Sequence, residues 1–316
     1  MRKGWVAPFC VSLLILMVIT PATSNDSISK SNLEPVYSLG SSSSTNEVWD
    51  LAWEWANKAG GSSQDDLARA IVVDQNGDIY VTGTFEYTAS FGSTTLNSAG
   101  SGDIFVAKMN RTGSWLWAVS AGGLHDDDGI DLAVDSNGDV FVTGNFRGTS
   151  LFGSSSLTAG PNSNSDFFVA KIDTWGNWLW VEGVSCDNNG RCLGTAIETD
   201  STGYAYVTGS FIRDMSVGST TLQWEGVEDI FVAKIDTYGQ WQWAKMAGGA
   251  QGSEISEDLA IGPNGDAFIT GYFELPSTFG NQTISSTSGN DIFVAKISQQ
   301  GDWMWVESAG GNSGDE

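Results

Sequence analysis

The sequence predicts an all-β protein assembled from copies of one four-stranded unit, and three observations carry that expectation. "DIFVAKMNRTGSWLW" begins at Asp103 and returns as "DFFVAKIDTWGNWLW" at Asp166, "DIFVAKIDTYGQWQW" at Asp229 and "DIFVAKISQQGDWMW" at Asp291, in steps of 63, 63 and 62 residues. The 316 residues include 39 Gly and 14 Trp with few charged groups, a composition that suits tight turns and strands better than helical bundles. Beyond the first two dozen residues no long stretch places apolar residues at helical spacing.

From the N-terminus, residues 1–24 read as a secretory signal. Arg2 and Lys3 form a charged start, about ten apolar residues follow from Val11 to Thr20, and Ala22 and Ser24 offer small residues at a cleavage site before Asn25. The apolar run is short for a bilayer span, so cleavage is expected rather than stable membrane insertion. Residues 25–47, rich in Ser and Asn, read as a flexible linker. "VWDLAWEWANKAGG" at residues 48–61 looks like a unit's fourth strand without the three that should precede it.

Each whole unit then divides in the same way. A first strand such as "ARAIVV" runs into an Asn-Gly turn, whose residues tolerate the positive φ a tight hairpin needs. A second strand such as "DIYVTGTF" follows, then a looser segment of about twenty residues carrying Phe91-Gly92, Phe152-Gly153, Val217-Gly218 or Phe279-Gly280. "DIFVAK" is the third strand, and a Gly-centred turn leads to the Trp-x-Trp fourth. Such a sheet buries little alone, so its copies must stack face to face. Radial stacking makes a β-propeller with blades of about 62 residues, at about 62–123, 124–183, 184–249 and 250–311, in an open or closed ring. A β-solenoid fits less well, since its turns are shorter and its strands parallel.

The pattern of Gly-Gly lead, Asp-x-x-Gly turn, Tyr-Val-Thr-Gly and Phe-Val-Ala-Lys over residues 49–316 resembles the bacterial and archaeal seven-bladed β-propeller repeat family. That resemblance implies a secreted or surface-exposed propeller, usually without assigned activity, and no particular ligand. The third unit departs most, with "VSCDNNGRC" in place of Gly-Gly and an acid. The final "SAGGNSGDE" reads as entry to a further blade, so the chain is expected to be a C-terminally truncated fragment whose N-terminal strand completes a blade beyond Glu316.

The net charge of −24 becomes −26 once residues 1–24 are removed, which disfavours nucleic acid and anionic lipid as partners. A protein or glycan at the cell surface is the expected partner class. The acids Asp65, Asp66, Asp126, Asp127, Asp128 and Glu254, with Asp315 and Glu316, all follow a fourth strand. They emerge at one end of the propeller, where they form either a solvated rim or a site for a hard cation such as calcium. "DQNGD" and "DSNGD" start like an EF-hand loop, but Phe85 and Phe146 stand where its bidentate Glu should be, so they read as hairpin turns.

The repeated Lys108, Lys171, Lys234 and Lys296 read as partners of turn or strand Asp. The Trp pairs, two residues apart and so on one strand face, form either a sugar-stacking platform or blade packing, and their recurrence favours packing. Ala107, Thr112, Gly113 and Trp117 fit part of a quinoprotein docking motif, with Met109 in place of its Asp. Cys186 and Cys192 are expected to form a disulfide in an exported protein. His125 is the only histidine, which leaves no Ser-His-Asp set beyond what it alone supplies.

The reading is therefore a non-catalytic binding or scaffold module, with calcium as its candidate cation and no assigned catalytic residue. The alternative is a propeller enzyme (glycosidase, lyase or quinoprotein-like) with its site on the acidic-loop face.

Overall fold

The structure, a computed structural model, describes residues 54–62, 65–160, 165–187, 189–286 and 289–311. The signal, the linker, residues 48–53 of the orphan strand and the terminal Asp315 and Glu316 lie outside them. The chain forms two compact units, residues 1–57 and Lys58–Glu316. Of the first unit, residues 54–57 carry no strand. The expected fourth strand is not continued there: a strand needs a hydrogen-bonded neighbour, and no third strand precedes it among the described residues.

The second unit is all-β, without helix among its described residues, and consists of four four-stranded antiparallel propeller blades. The hairpin Thr149–Phe152 with Ser155–Thr158 extends the first blade to a six-stranded sheet, and three further two-stranded hairpins stand separate. Blade 1 comprises Leu67–Val73, Ile79–Phe85, Asp103–Met109 and Trp115–Gly123. Blade 2 comprises Asp128–Val134, Val140–Phe146, Asp166–Ile172 and Trp178–Val184. Blade 3 comprises Arg191–Thr199, Ala205–Ile212, Asp229–Ile235 and Trp241–Ala247, and blade 4 Glu254–Ile261, Ala267–Phe273, Asp291–Ile297 and Trp303–Ala309. In every blade the strands pair in chain order. The first strand of each later blade packs on the first strand of the blade before it.

The segment between second and third strands is more ordered than its composition suggests. It folds into a two-stranded hairpin, such as Thr88–Phe91 with Thr94–Asn97. The glycine of each Phe-Gly or Val-Gly pair makes the turn at positive φ, 57–64° at Gly92, Gly153, Gly218 and Gly280. This hairpin then clips onto the segment that leads into its blade: Gly60 pairs with Ser90, Gly122 with Leu151, Cys186 with Met215 and Gly248 with Thr278.

The Trp pairs need a correction. Trp117 pairs with Lys108 but Trp115 with the next residue, Met109, so Leu116 is a β-bulge, and the same slip recurs in the other blades. Neighbouring residues of a strand face opposite sides, so the bulge sends the two indoles to opposite faces. Trp115 stacks edge-on against Phe91 of its own hairpin, and Trp117 against Tyr80 on the other face. Trp117, Trp180 and Trp243 each donate their indole N–H to a turn carbonyl of the next blade, at Thr174, Thr237 and Gln299. Both members of a pair therefore serve blade packing.

The cores lie between blades. Tyr80, Ile104 and Val106 of blade 1 meet Leu132, Val142 and Phe168 of blade 2, all buried. Phe141, Phe167 and Val169 meet Ile197, Val207 and Phe231, and Ile230 and Val232 meet Leu259, Ile269 and Phe293.

Candidate functional site

Three sets of polar side chains recur in the blades. The first surrounds the repeated lysines at the hairpin-turn end. Asp74 Oδ1 accepts the backbone N–H groups of Asn76 and Asp78, which closes the Asn-Gly turn, and its other oxygen faces Lys108. Lys108 Nζ lies 3.0 Å from Asp78, Lys171 3.1 Å from both Asp135 and Asp139, Lys234 3.3 Å from Asp200 and Lys296 2.8 Å from Asp266. Each ammonium also sits over an aromatic ring, Tyr80, Phe141, Tyr206 and Phe268 in turn. The four lysines thus share one role, tying the third strand to the first hairpin turn.

The second set contains the acids expected to ring a cation. Asp127 is fully buried where blade 1 meets blade 2, and it accepts hydrogen bonds from Gly123 N, Arg147 N and Ser150 Oγ at 2.7–3.1 Å. Asp66 accepts from Gly61 N at 2.6 Å, and the buried Glu254 from Ser277 Oγ. The carboxyl therefore holds the Gly-Gly lead, with its hairpin where a second donor reaches it, to the start of the next blade. A Cβ on the second glycine would meet the hairpin's backbone: 2.1 Å from Thr88 O at Gly61, 2.0 Å from Thr149 O at Gly123 and 2.1 Å from Pro276 O at Gly249.

Their neighbours differ. Asp65 and Asp126 are exposed, Asp126 beside Arg147 at 3.5 Å, and Asp128 accepts from Thr84 Oγ1 at 2.6 Å. The six acids thus fall at three separate blade entries. Among the described residues no group of three or more His, Cys, Asp or Glu is arranged to hold a metal ion.

Cys192 occupies the position of Asp127 and Glu254. The backbone N–H groups of Asp127, Cys192 and Glu254 donate to Gly102, Ser165 and Glu228 of the preceding blade in the same manner. Cys186 stands at the second glycine, and the two cysteines form the expected disulfide, with Cα atoms 5.8 Å apart. A covalent bond replaces the acid-to-amide hydrogen bond of the other junctions. Replacing both cysteines by Ser is expected to cost about 2–3 kcal/mol. The double change Cys186→Gly with Cys192→Asp, which rebuilds the blade 1–2 junction, should recover part of that loss in a urea melt. Equal melts for the two double variants would contradict this equivalence.

A second carboxyl backs each junction. Asp103, Asp166 and Asp229, which begin the third strands, are buried and accept backbone N–H groups from Ala99, Gly160 and Glu225. At the last junction Asp229 Oδ1 and Glu254 Oε2 are buried without a hydrogen-bond donor. Burial pushes Asp229 up to about 7, reinforced by Glu225 and Glu228, and Glu254 up to about 8, reinforced by Asp229 and Glu274; the Gly249 amide offsets part of both shifts. Both groups hold a proton in the fold at pH values where the unfolded chain has released it. Their stabilisation is complete below the unfolded value near ~4 and is lost as pH rises through about 7 and 8. Melting temperature is expected to fall between pH 5 and 9, and Glu254→Gln, which mimics the protonated acid, should flatten the curve. An unchanged slope in that variant would remove Glu254 as a cause.

The third set escaped sequence reasoning. Asp131, Glu198 and Asp258 lie on the first strands of blades 2, 3 and 4. Asp131 accepts the backbone N–H of Ile197 from the next blade at 2.8 Å. Burial, opposed by that bond and by the Leu132 amide, raises Asp131 to about 6, with Asp258 and Glu198 adding to the rise. Glu198 also lines a cleft of about 290 Å³ between blades 3 and 4, with Asp200, Ile261 and Pro263. The signal for this set was an acid inside an otherwise apolar first strand, visible at "GIDLAV" and "SEDLAI".

No family profile matches the chain. It is 24% identical over 233 residues to an uncharacterized WD repeat-containing protein of Acanthamoeba polyphaga mimivirus, covering 62% of this chain and 16% of that protein. It is 28% identical over 229 residues to the regulatory protein FlaEY of Caulobacter vibrioides, covering 66% of this chain and 23% of that protein. The chain spans less than a quarter of the length of either relative. Together with the four stacked sheets, these similarities make it a repeat protein of the β-propeller type.

Proposed function

We propose that the chain is an exported, non-catalytic propeller module of the bacterial and archaeal seven-bladed repeat kind, which binds a protein partner through its blade surfaces. One observation carries the reading: the recurring lysines and junction acids are engaged in holding the blades and their junctions. The lysines pair with turn aspartates, and Asp66, Asp127 and Glu254 pair with junction amides and hydroxyls. An enzyme concentrates unique polar groups in one place, whereas here the departure from the repeat is the Cys186–Cys192 junction, which is structural. The names of the two relatives, one WD repeat-containing and one regulatory, agree with a scaffold or interaction role.

Export rests on the charged, apolar and small-residue pattern of residues 1–24, and mass analysis of the protein from its source should find it beginning at Asn25. In this reading the junction acids hold the fold and share no ion, so calorimetric titration with calcium is expected to give no saturable heat. Saturable uptake of one ion per chain, lost in Asp127→Asn, would restore a cation site at the acidic end. The enzyme alternative would draw on Asp131, Glu198 and Asp258. Turnover of any glycoside, polyuronide or alcohol in a substrate screen, abolished by Asp131→Asn, would overturn the non-catalytic reading.

A further inference from the structure

The cleft between blades 3 and 4 is a second departure from the repeat. Glu198 pairs in register with Tyr206, as Val72 pairs with Tyr80, Ala133 with Phe141 and Ala260 with Phe268. A carboxyl thus stands where the other three blades have an aliphatic side chain. On the blade 4 side, Gly262-Pro263 replaces the Asp and polar residue of Asp74-Gln75, Asp135-Ser136 and Asp200-Ser201. The cleft therefore has Glu198 and Ser201 on one wall, and Ile261, the Gly262 backbone and the Pro263 ring on the other. Glu198 is half-buried, and no cation pairs with it among the described residues. Burial raises its carboxyl, the Thr199 amide offsets part of the rise, and Asp258 adds to it. The repeated lysines of these blades are committed elsewhere, Lys234 to Asp200 and Lys296 to Asp266.

We propose that this cleft receives a basic side chain of a protein partner, its ammonium or guanidinium on Glu198 and its methylene stem along Ile261 and Pro263. The inference rests on the protein-binding reading above and names what that partner must present. A cation beside Glu198 favours the ionised carboxyl and offsets the cost of burying it. The apolar wall suits the stem, which long basic side chains lay on apolar surface while the charged head stays among polar groups. Ser201 Oγ supplies a further acceptor. A bare hard cation would leave that wall uncovered and would need several more oxygen ligands. The volume of about 290 Å³ lies just below the range of about 300–1,000 Å³ for pockets that enclose small molecules, which suits a single side chain. The net charge of −24 draws basic surfaces toward the whole chain, and Glu198 gives them one place to lodge.

The test titrates the full chain with a blocked Gly-Lys-Gly peptide, with the same peptide carrying norleucine for lysine, and with putrescine, while amide NMR follows Ser201, Gly262 and Gly265. The lysine peptide is expected to shift these amides saturably at millimolar concentration, and the uncharged norleucine peptide is not. Glu198→Gln keeps the shape of the side chain and removes a charge that nothing pairs, so the fold should survive, as a circular dichroism melt checks. It should weaken the lysine peptide by about tenfold or more, the worth of one charged hydrogen bond. Asp126→Asn removes the same charge from an exposed position at a different junction and should leave the affinity unchanged. Absence of saturable shifts would overturn the proposal, and so would equal weakening in both variants, which would mean attraction by net charge alone. Putrescine saturating these amides where the peptide does not would overturn it too, giving the cleft to a small free amine. Each of these results strikes the cleft and leaves the protein-binding reading standing, which fails instead on turnover in the substrate screen.

Discussion

Lys171→Met should lower the unfolding free energy by about 3–5 kcal/mol, the usual cost of breaking a buried ion pair by removing one member. The Lys171 side chain is 2% exposed and lies 3.1 Å from both Asp135 and Asp139, with Thr237 of the next blade as a further partner. Without the ammonium, Asp135, whose side chain is 0% exposed, must carry its charge beside the Phe141 ring or take up a proton. The matched variant is Lys296→Met in blade 4. There the lysine and Asp266 side chains are 18% and 16% exposed, and water can replace the lost partner. That change should cost no more than about 2 kcal/mol. Chemical unfolding of the two variants side by side tests the argument, and equal losses would show that burial does not control the contribution.

Gly209→Ala is the second large effect. Every second strand carries Thr-Gly in its middle, and the glycine stands beside a β-bulge in the first strand, between Gly194 and Ala196 in blade 3. The bulge pushes the Leu193 carbonyl toward the second strand, so a Cβ at Gly209 would lie 1.8 Å from that oxygen and 2.8 Å from the Phe231 ring. Both obstacles belong to packed parts of the blade, one of them backbone, so neither can swing away. A loss of at least about 3 kcal/mol is expected, at the top of the range for overpacking, or roughly 6–12 °C in Tm for a unit of this size. Gly203→Ala is the control. Gly203 has φ of 86° but nothing within 4 Å of an added Cβ, so it should lose only the smaller cost of a left-handed alanine, about 1–2 kcal/mol. If the order of the two were reversed, the recurrence of Thr-Gly would need another cause.

The repeat, its four strands and the packing role of the aromatics were legible because they depend on spacing within the chain. What was misread depends on register between strands. The rule that residues i and i+2 share a face fails at Trp115 and Trp117, since the bulge at Leu116 appears only when pairing with Met109 and Lys108 is known. The acids after each fourth strand were placed correctly in the loops, but sequence cannot tell which way a carboxyl turns. Asp127 turns inward to Gly123 and Ser150, while Asp126, one residue earlier, stays exposed beside Arg147. Cys192 becomes recognisable as the counterpart of Asp127 through its bond to Ser165 of the preceding blade, because the loop before it, from Cys186, differs in length from the others.

Of the three junctions, two are fastened by buried acids and the middle one by a covalent bond, and the two chemistries answer to different reagents. Burial raises the Asp127 carboxyl as it raises Asp229 and Glu254, so rising pH works against those junctions, while the Cys186–Cys192 bond yields to a thiol. In an array whose units touch only their neighbours, choosing the reagent chooses where the array comes apart. Dithiothreitol should loosen it in the middle and high pH at the acid-held junctions on either side, so the order in which this protein unravels is set by its surroundings rather than by its weakest core.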